Sequence, residues 1–415
     1  MPTRRGKILI AEGLLLYVLA RALAIRELFP LALAAVLFPF VAVAFVRWSR
    51  HRVGFRRTIS PPRVFAGSTV RIEYSVHNSG RMSSPPLVLD DAAAAGIGGA
   101  IQVSLPSLPP DKRGSITVER TVGRRGWYSI GPMRARVVDP FGLAEMTGTA
   151  GTESRLVVYP RVEMLHESSP PEPRSHGGRS HIHRLASSSQ EFYAVREWQD
   201  GDDLRRIHWR STARRGSLMI RQDEIRPHPR ATVLLDTRTE GDDELEWMIT
   251  FGASVLWELA RQGYSLRLCT PDVAPTSPRW GKEATDPLLM ALAGISRSRV
   301  PSAMRVVRQL ASPHSAGGVL IAILPPLHPH ELGALARLRR QYTWAGAVFL
   351  DSISFEDGSS RERARFDQQL AEAERALARG GWRVVVAGSN DHPSPIWQSL
   401  LASGTSHPKP ASLPS

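Results

Sequence analysis

Hydrophobic and polar positions change rhythm several times along this chain, and each change marks a boundary. Near the start, Leu28 to Val46 (LFPLALAAVLFPFVAVAFV) is an uncharged apolar run, close to the roughly 20 residues a helix needs to cross a hydrocarbon core. Pro30 falls in the first turn, where a missing N–H costs little, and Pro39 sits midway, where a kink is expected. Upstream, Ile8 to Ile25 is nearly as long but carries Glu12 and Arg21, each expensive at the bilayer centre unless paired or near an interface. Only Arg26 and Glu27 separate the two runs. The pattern predicts a transmembrane helical hairpin with basic flanks over residues 1–57, both ends on one side.

From residue 58 to 162 the rhythm shortens to two. TVRIEYSVHN, SITVERTV, MRARVV and RLVVY alternate between Gly, Pro, Asn and Ser punctuation, the signature of half-buried antiparallel strands in a small sandwich. Val70, Ile72, Tyr74 and Val76 should share the inner face, Arg71, Glu73 and Ser75 the outer, and Asn78-Ser79-Gly80 a turn. Gly126-Trp127-Tyr128 and Asp139-Pro140-Phe141-Gly142 fall at strand ends, where aromatic rings are expected to plug the sandwich. Residues 163–190 are rich in Pro, Ser, Gly and His and read as a polar linker. His176, His181 and His183 lie there without a cysteine or carboxylate at ligand spacing, so a metal is not expected.

A charged segment, residues 191–230, precedes a third rhythm. From residue 231 to 388 apolar strands (ATVLLD, SLRLC, GVLIAIL, GAVFLD, WRVVVAG) alternate with amphipathic helices, as in a parallel sheet covered on both faces, an α/β doubly wound domain. Glu244 to Gln262 should be a helix presenting Leu245, Met248, Val255 and Leu259. Further helices are expected over 287–295, 302–310, 331–341 and 361–379. Residues 389–415, rich in Pro and Ser, read as a disordered tail.

Composition narrows the compartment and the partners. A single cysteine, Cys269, cannot form an intramolecular disulfide, which fits a reducing compartment. The net charge of +14 comes almost wholly from arginine, lysine occurring only at positions 7, 112, 282 and 409. The charge is spread over every segment, and no helix-turn-helix, finger or RNP pattern accompanies it, so specific nucleic-acid binding is not expected. Arg4, Arg5 and Lys7 precede the apolar runs and Arg47, Arg50, Arg52, Arg56 and Arg57 follow them, against Arg21 and Arg26 near the connection. By the positive-inside bias the soluble domains face the cytoplasm from the cytoplasmic membrane. A cleaved signal peptide is the rival reading, on the basic start and the small residues around Ala20 to Ala24.

The densest chemistry lies between Glu191 and Glu224, EFYAVREWQDGDDLRRIHWRSTARRGSLMIRQDE. Gly201 turns the chain, Asp202 is a candidate N-cap, Asp203 adds negative charge to a first turn, and Gly216 stops a helix expected from Asp203 to Arg214. Leu204, Ile207 and Ser211 would dock that helix, with Trp209 as a buried anchor and Arg205 outside. Asp200, Asp202 and Asp203 beside Arg196, Arg205 and Arg206, with His208 and Trp209, admit three readings: a structural network around a capped helix, a recognition surface, or an acid–base site. The structural one is favoured, because no serine, cysteine or lysine has an evident activating neighbour and no glycine-rich phosphate loop occurs. Asp236 and Asp351 fall at strand ends, where ligands gather in such sheets, but a Mg²⁺ ligand needs neighbouring oxygens.

These residues carry a resemblance. Arg196-Glu197-Trp198, Gly201-Asp202-Asp203, Arg206-Ile207-His208-Trp209 and Ala213-Arg214 resemble the core motif of the bacterial domain of unknown function family 58. RRGWYSIGP, DPFG and the two N-terminal apolar runs extend the likeness over most of the chain. The resemblance implies a von Willebrand factor A-like α/β domain and a membrane-anchored, non-enzymatic scaffold or adaptor. Its implied partners are a MoxR-type AAA ATPase and a transglutaminase-like membrane protein, and its implied role is assembly of membrane or envelope proteins. The alternative is a cryptic enzyme or ligand binder using Gly201 to Trp209, and a weaker third class is arginine-driven binding to anionic lipid or nucleic acid. Metal-binding von Willebrand A domains carry Asp-x-Ser-x-Ser after the first strand, whereas this chain has Asp236-Thr237-Arg238-Thr239-Glu240. A cation thus replaces a hydroxyl ligand, so Asp236 is a degenerate position and no cofactor is expected.

Overall fold

The computed structural model describes residues 1–50, 52–166, 170, 194–199, 207–222, 229–272, 276–279, 282–312, 317–355 and 360–402. They fall into two compact units, one of Met1–Glu163 with Ile249–Ser254 and Asp286–Ser296, the other of Met164–Met248, Val255–Thr285 and Arg297–Ser415.

The first unit opens with α1 (Arg4–Ala22) and α2 (Leu28–Arg50). They pack closely: a Cβ on Gly13 would meet Val36, Ala35 and Ala32 at 2.9, 3.0 and 3.1 Å. Tyr17 and Phe29 meet edge to face near the connection, 5.5 Å between centroids. That connection is looser than Arg26 and Glu27 alone would make it, because α1 stops at Ala22 and Ala24 takes a left-handed φ of 54°. α2 continues through Pro39. Among the described residues one helix, Leu28–Trp48 with a mean hydropathy of 2.5, is long and apolar enough to cross a membrane; α1 is diluted by its charged residues.

The strands that follow are β1 (Val53–Ser60), β2 (Arg63–Phe65), β3 (Thr69–Asn78), β4 (Leu87–Ala93), β5 (Ile101–Leu105), β6 (Arg113–Thr121), β7 (Gly126–Val138), β8 (Glu145–Gly151) and β9 (Ser154–Tyr159). One sheet has the order β1-β3-β6, and a second the order β2-β9-β7-β4-β5 with β8 also on β7. All these pairings are antiparallel except β2 with β9. β3 alternates as expected, with Val70, Ile72, Tyr74 and Val76 buried and Arg71 and Glu73 exposed. They share a core with Leu87, Leu89, Ile130, Ala135, Val137, Leu156 and Val158 of the other sheet, and with Ala42 and Val46 of α2. Asn78 closes its turn from inside, donating to the carbonyls of Met82 and Leu108 at 2.8 and 2.9 Å and accepting from Gly80 N at 3.0 Å.

Two sequence expectations change here. The module begins at Val53, not residue 58, and Arg57 belongs to its interior rather than to a basic flank. Its guanidinium crosses from β1 to β4, with Nη1 2.6 and 2.7 Å from the two oxygens of Asp91. Tyr74 O–H donates to the same carboxylate at 2.8 Å, and Arg57 Nη2 donates to Ser154 Oγ at 2.9 Å and to the Thr152 carbonyl. Burial and the Asp91 charge push the Tyr74 phenol well above its ordinary range. The aromatic plugs are also corrected. Tyr128 packs partly into the core, but Trp127 and Phe141 are 59% and 65% exposed.

The N-terminal residues return to the β7–β8 turn. Thr3 N donates to the Leu143 carbonyl at 2.9 Å, Thr3 Oγ1 to the Gly142 carbonyl at 2.6 Å, and Glu145 N to the Met1 carbonyl at 2.9 Å. Both ends of the helix pair therefore sit at the β module.

The second unit holds β10 (Ala194–Glu197), α3 (Trp209–Arg215) and β11 (Met219–Gln222), then a parallel sheet of β12 (Arg230–Leu235), β13 (Ser265–Cys269), β14 (Val319–Leu324), β15 (Trp344–Leu350) and β16 (Arg383–Ala387). Its order is β13-β12-β14-β15-β16. The intervening helices are α4 (Asp242–Arg261), α5 (Lys282–Ala293), α6 (Met304–Leu310), α7 (Pro329–Leu338) and α8 (Ser360–Arg379), parts of α4 and α5 being assigned to the first unit. The near-continuous burial of β12, β14 and β15 is that of strands covered on both faces. Leu245, Met248, Val255 and Leu259 are buried as the helical spacing predicts.

The end of the chain differs from expectation. Beyond residue 388 comes α9 (Pro393–Leu401), begun by Pro393 at a first-turn position and held by the buried Ile396, Trp397 and Leu400. Residues 403–415, and most of the linker 163–190, lie outside the described residues.

Removing the Asp91 carboxylate leaves Arg57 charged and unpaired inside the first unit, a loss of about 3–5 kcal/mol. Asp91→Ala is expected to unfold or strongly destabilise the β module in chemical denaturation, with Tyr74→Phe costing about 1.5–3 kcal/mol for one bond to a charged group.

Candidate functional site

Two places in the second unit carry the residues singled out from sequence. The first is the charged segment. Of its candidates, Asp200, Gly201, Asp202, Asp203, Arg205 and Arg206 lie outside the described residues, as does Leu204. The others form a small scaffold. β10 pairs antiparallel with β11, Arg196 opposite Ile220 and Glu197 opposite Met219. Trp198 N donates to the Leu218 carbonyl and His208 N to the Met219 carbonyl, each at 2.8 Å. Met219 and Ile220 are buried and anchor the hairpin.

The helix of this segment starts later than its sequence suggests. Ile207 is in a β-bridge with Ile220, so α3 begins after it, with His208 as its N-cap; the expected start at Asp203 and cap at Asp202 lie outside the described residues. His208 Nδ1 accepts from Ser211 N at 3.3 Å and lies 2.8 Å from Ser211 Oγ. Thr212 Oγ1 donates to the His208 carbonyl at 3.3 Å and accepts from Met219 N at 3.0 Å, tying α3 to β11. Gly216 closes α3 at φ 73°, its N–H donating to the Thr212 carbonyl at 2.9 Å. Glu197 accepts from Ser217 Oγ at 3.2 Å.

Trp209 overturns the expectation of a buried anchor. It is 68% exposed, and α3 contributes no buried residue. Met219 and Ile220 of β11 are buried instead. Arg210, Arg214 and Arg215 are exposed on the same short helix. Ser211 is a second correction, since it does have a neighbouring base. That pair is incomplete as nucleophile machinery: the nitrogen facing Ser211 also caps the helix, and no carboxylate among the described residues is seen to orient the ring.

The second place is the carboxyl edge of the parallel sheet, where the order reverses beside β12. Asp236, fully buried, follows β12, and Glu331 lies in the first turn of α7. Between them is Arg238. Its Nε and Nη2 are 2.8 and 2.6 Å from the two oxygens of Asp236, and its Nη1 and Nη2 are 3.0 and 3.3 Å from those of Glu331. Glu331 also accepts from Ser302 Oγ and Ala303 N at 2.8 Å, and from His328 N at 3.2 Å. Burial alone would raise the Glu331 carboxyl, but the bonds from Ser302, Arg238 and Ala303 bring it down to about 2. Burial works against the Arg238 charge, and the Asp236 and Glu331 carboxylates more than offset it, so the guanidinium holds its proton more tightly than usual.

Asp351, after β15, is closed in the same way, with Arg363 Nη1 at 2.9 Å. Beside it Ser352 Oγ donates to the buried Glu244 at 2.6 Å, whose carboxyl is raised by burial against that bond. These residues do not fit a divalent cation. A guanidinium already neutralises Asp236, and among the described residues no three His, Cys, Asp or Glu side chains are grouped to hold a metal. The hydroxyls of Thr237 and Thr239 are buried nearby without a hydrogen-bond partner.

Comparison with known proteins locates the specific part of the chain. The family model described as protein of unknown function DUF58 matches residues 194–261, from β10 through α4. An uncharacterized protein of Bacillus subtilis, YeaD, is 28% identical over 153 residues, which cover 36% of this chain and 37% of that protein. The match thus spans little more than a third of the relative, and together the two findings support a DUF58 family protein. Among solved structures, the CARDB domain of the PF1109 protein from Pyrococcus furiosus, crystallised with di-metal ions, is 18% identical, with 26% of this chain and 89% of that one covered and a TM-score of 0.19. Red sea bream transglutaminase is 15% identical over 26% of this chain and 15% of that one, with a TM-score of 0.20. Likenesses this low carry no argument about function.

Two measurements check the sheet edge. The Glu331 carboxyl titrates near 4.5 as an ordinary glutamate and near 2 in the folded protein, so the unfolded chain binds the proton more readily. Its stabilisation is complete above about 4.5 and lost as pH falls toward 2; Glu331→Gln should lower the melting temperature at pH 7 and flatten the acid slope in that window. Millimolar Mg²⁺ should leave wild-type melting unchanged, whereas a micromolar site would add about 4 kcal/mol. A clear rise abolished by Asp236→Ala would mean that the metal displaces Arg238.

Proposed function

We propose that this protein is a non-enzymatic, membrane-anchored scaffold or adaptor, with α2 as its anchor and the DUF58 segment as its recognition surface. The observation that carries the reading is Trp209. A tryptophan left 68% exposed on a helix capped at both ends contributes little to the core. Exposed Trp and Arg side chains are the residue types that dominate binding energy at protein interfaces, and the exposed Arg210, Arg214 and Arg215 share its short helix. The arginine-closed strand ends support the same reading, since the usual ligand crevice of such a sheet is filled by the chain's own Arg238.

The soluble parts face the cytoplasm in this reading, on the bias of Arg4, Arg5, Lys7, Arg47 and Arg52 over Arg21 and Arg26. The partner is a MoxR-type AAA ATPase, with a transglutaminase-like membrane protein in the same assembly, and the von Willebrand A-like character of the second unit belongs to this proposal too. A second reading has one observation in its favour, the 2.8 Å contact of His208 Nδ1 with Ser211 Oγ. It predicts that Ser211 is labelled by an active-serine probe, and absence of labelling in folded protein removes it.

The adaptor reading is tested at Trp209. Trp209→Ala should stay within about 0.5 kcal/mol of wild-type stability, as an exposed substitution does. Its affinity for a co-expressed MoxR-type ATPase, measured on the full-length protein in nanodiscs, should fall by about tenfold or more, as for a hot-spot residue. Unchanged affinity with unchanged stability would sink the recognition role, and a melting temperature collapse would restore Trp209 as a packing anchor.

A further inference from the structure

We propose that the β7–β8 turn, Asp139-Pro140-Phe141-Gly142, is a lipid-inserted wedge that seats the β module directly on the bilayer, its occupant being the acyl chains of the leaflet around α2. The proposal rests on the reading of α2 as a membrane anchor and adds a second point of contact.

Phe141 is 65% exposed, yet it is not free: its ring lies 5.1 Å from that of Phe38, centroid to centroid, at 59°. Phe38 is near the middle of the apolar stretch Leu28–Trp48, just before Ala42 and Val46, which are buried in the core of the β module. Leu31, Leu33 and Leu37 of the same half of α2 are exposed. This half is the part that the anchor reading places in hydrocarbon, and a ring touching Phe38 shares its environment. The first turn of α1 sets the depth. Gly6 abuts the Leu143 carbonyl so closely that a Cβ would stand 2.2 Å from it, and Arg4, Arg5 and Lys7 beside it are exposed. The backbone of the β7–β8 turn therefore lies at the level of basic residues suited to anionic headgroups, and Phe141 reaches deeper.

The turn is also built for a medium that cannot supply hydrogen bonds. An unsatisfied backbone group is costly in lipid, and here most are satisfied internally. Phe141 N and Ala144 N donate to the Asp139 carboxylate, the first at 2.9 Å. Gly142 N donates to the Asp139 carbonyl at 3.0 Å, and Pro140 has no N–H. The carbonyls of Gly142 and Leu143 accept from Thr3 Oγ1 and Thr3 N. Asp139 itself is 4% exposed, so its charge is held inside the turn, and Gly142 adopts the left-handed φ of 69° that the tight return requires. Leu37 and Val41, 50% and 61% exposed, continue the apolar surface along α2.

The test uses the full chain in nanodiscs of phosphatidylcholine and phosphatidylglycerol, with an environment-sensitive NBD label at one introduced cysteine. Cys269 is buried with its thiol pushed up to about 12 by burial, so it stays unlabelled in folded protein. Labels go on Phe141→Cys, on Leu33→Cys within α2, and on Ser104→Cys on the exposed side of β5. The label at 141 should emit at shorter wavelength than the label at 104, be quenched by lipid carrying a shallow doxyl group, and be protected from iodide. If the label at 141 behaves like that at 104 while the label at 33 is quenched by lipid, the wedge is overturned and the anchor stands. A label at 33 open to iodide overturns the anchor and the wedge with it, and a label at 141 shielded from both quenchers shows a protein contact instead of lipid.

Discussion

Arg57 crosses the interior of the β module to reach Asp91, and both sheets are arranged around that pair. A carboxylate and a guanidinium that are 1% and 4% exposed are tolerable only if their charges meet and most of their remaining donors and acceptors are used; Arg57 Nε is the one buried donor of the pair without a partner. Asp91 spends its second oxygen on both Arg57 and Tyr74, and Arg57 spends its other Nη on Thr152 and Ser154. The bonds run between β1 and β3 on one side and β4 and β9 on the other. They therefore fix the register of the sheets across an apolar core that by itself would tolerate sliding. The same constraint governs the second unit, where Asp236 and Asp351 end parallel strands and each is met by an arginine. The arginine bias of the chain thus has a local meaning at these positions: a group that keeps its charge and meets both oxygens of a carboxylate, with Nη1 alone in Arg57 and Arg363 and with the fork of Nε and Nη2 in Arg238.

Closing the strand ends changes what the α/β sheet can do. A carboxylate at a switch point is ordinarily available to a ligand, but Asp236 has both oxygens on Arg238, and Glu331 holds the other side of the same guanidinium. A cation would have to displace a charge already fixed by four contacts, and a neutral ligand would have to break them. Among the described residues, the buried hydroxyls of Thr237 and Thr239 are left without a partner, and α3 stays exposed.

Much of this was legible in the sequence, and the misses have physical causes. Period-two alternation placed Val70, Ile72, Tyr74 and Val76 inward because every second side chain of a strand shares a face, and the apolar strands of the α/β sheet declared themselves by continuous burial. Arg238 was recognisable as an intruder among ligand positions, although the role of Glu331 was not, since it lies 93 residues away. Arg57 was misassigned because a basic residue near an apolar helix reads as a flank, and only the pairing of β1 with β3 shows that it points inward. Trp209 was misassigned for a related reason. The expected helix from Asp203 put it on a docking face, but Ile207 is held in a bridge to Ile220, which delays the helix and turns the tryptophan out. α9 was missed because Pro and Ser in a terminal segment outweigh the i, i+1, i+4 spacing of Ile396, Trp397 and Leu400 when no partner surface is in view.

Exposed aromatics ordinarily carry a cost without a return, and that makes Phe141 and Trp209 informative together. Each sits on a short element whose backbone is pinned, Phe141 by the Asp139 carboxylate and Thr3, Trp209 by the His208 cap and the Thr212 bonds to β11. Pinning the backbone does not bury either ring, so the rigidity serves presentation rather than the core. A side chain held in place before contact loses less entropy when it is covered, and this is worth more for a large ring than for a flexible chain. The chemistry around the two rings differs: Phe141 lies against Phe38 of the apolar helix and on a turn with few free polar groups, whereas Trp209 is on a short helix that also carries the exposed Arg210, Arg214 and Arg215. A ring among apolar neighbours is suited to an apolar solvent, and a ring on an arginine-bearing helix to a surface with acidic and apolar features. As proposed, one exposed ring would be directed at the membrane and the other at a protein partner.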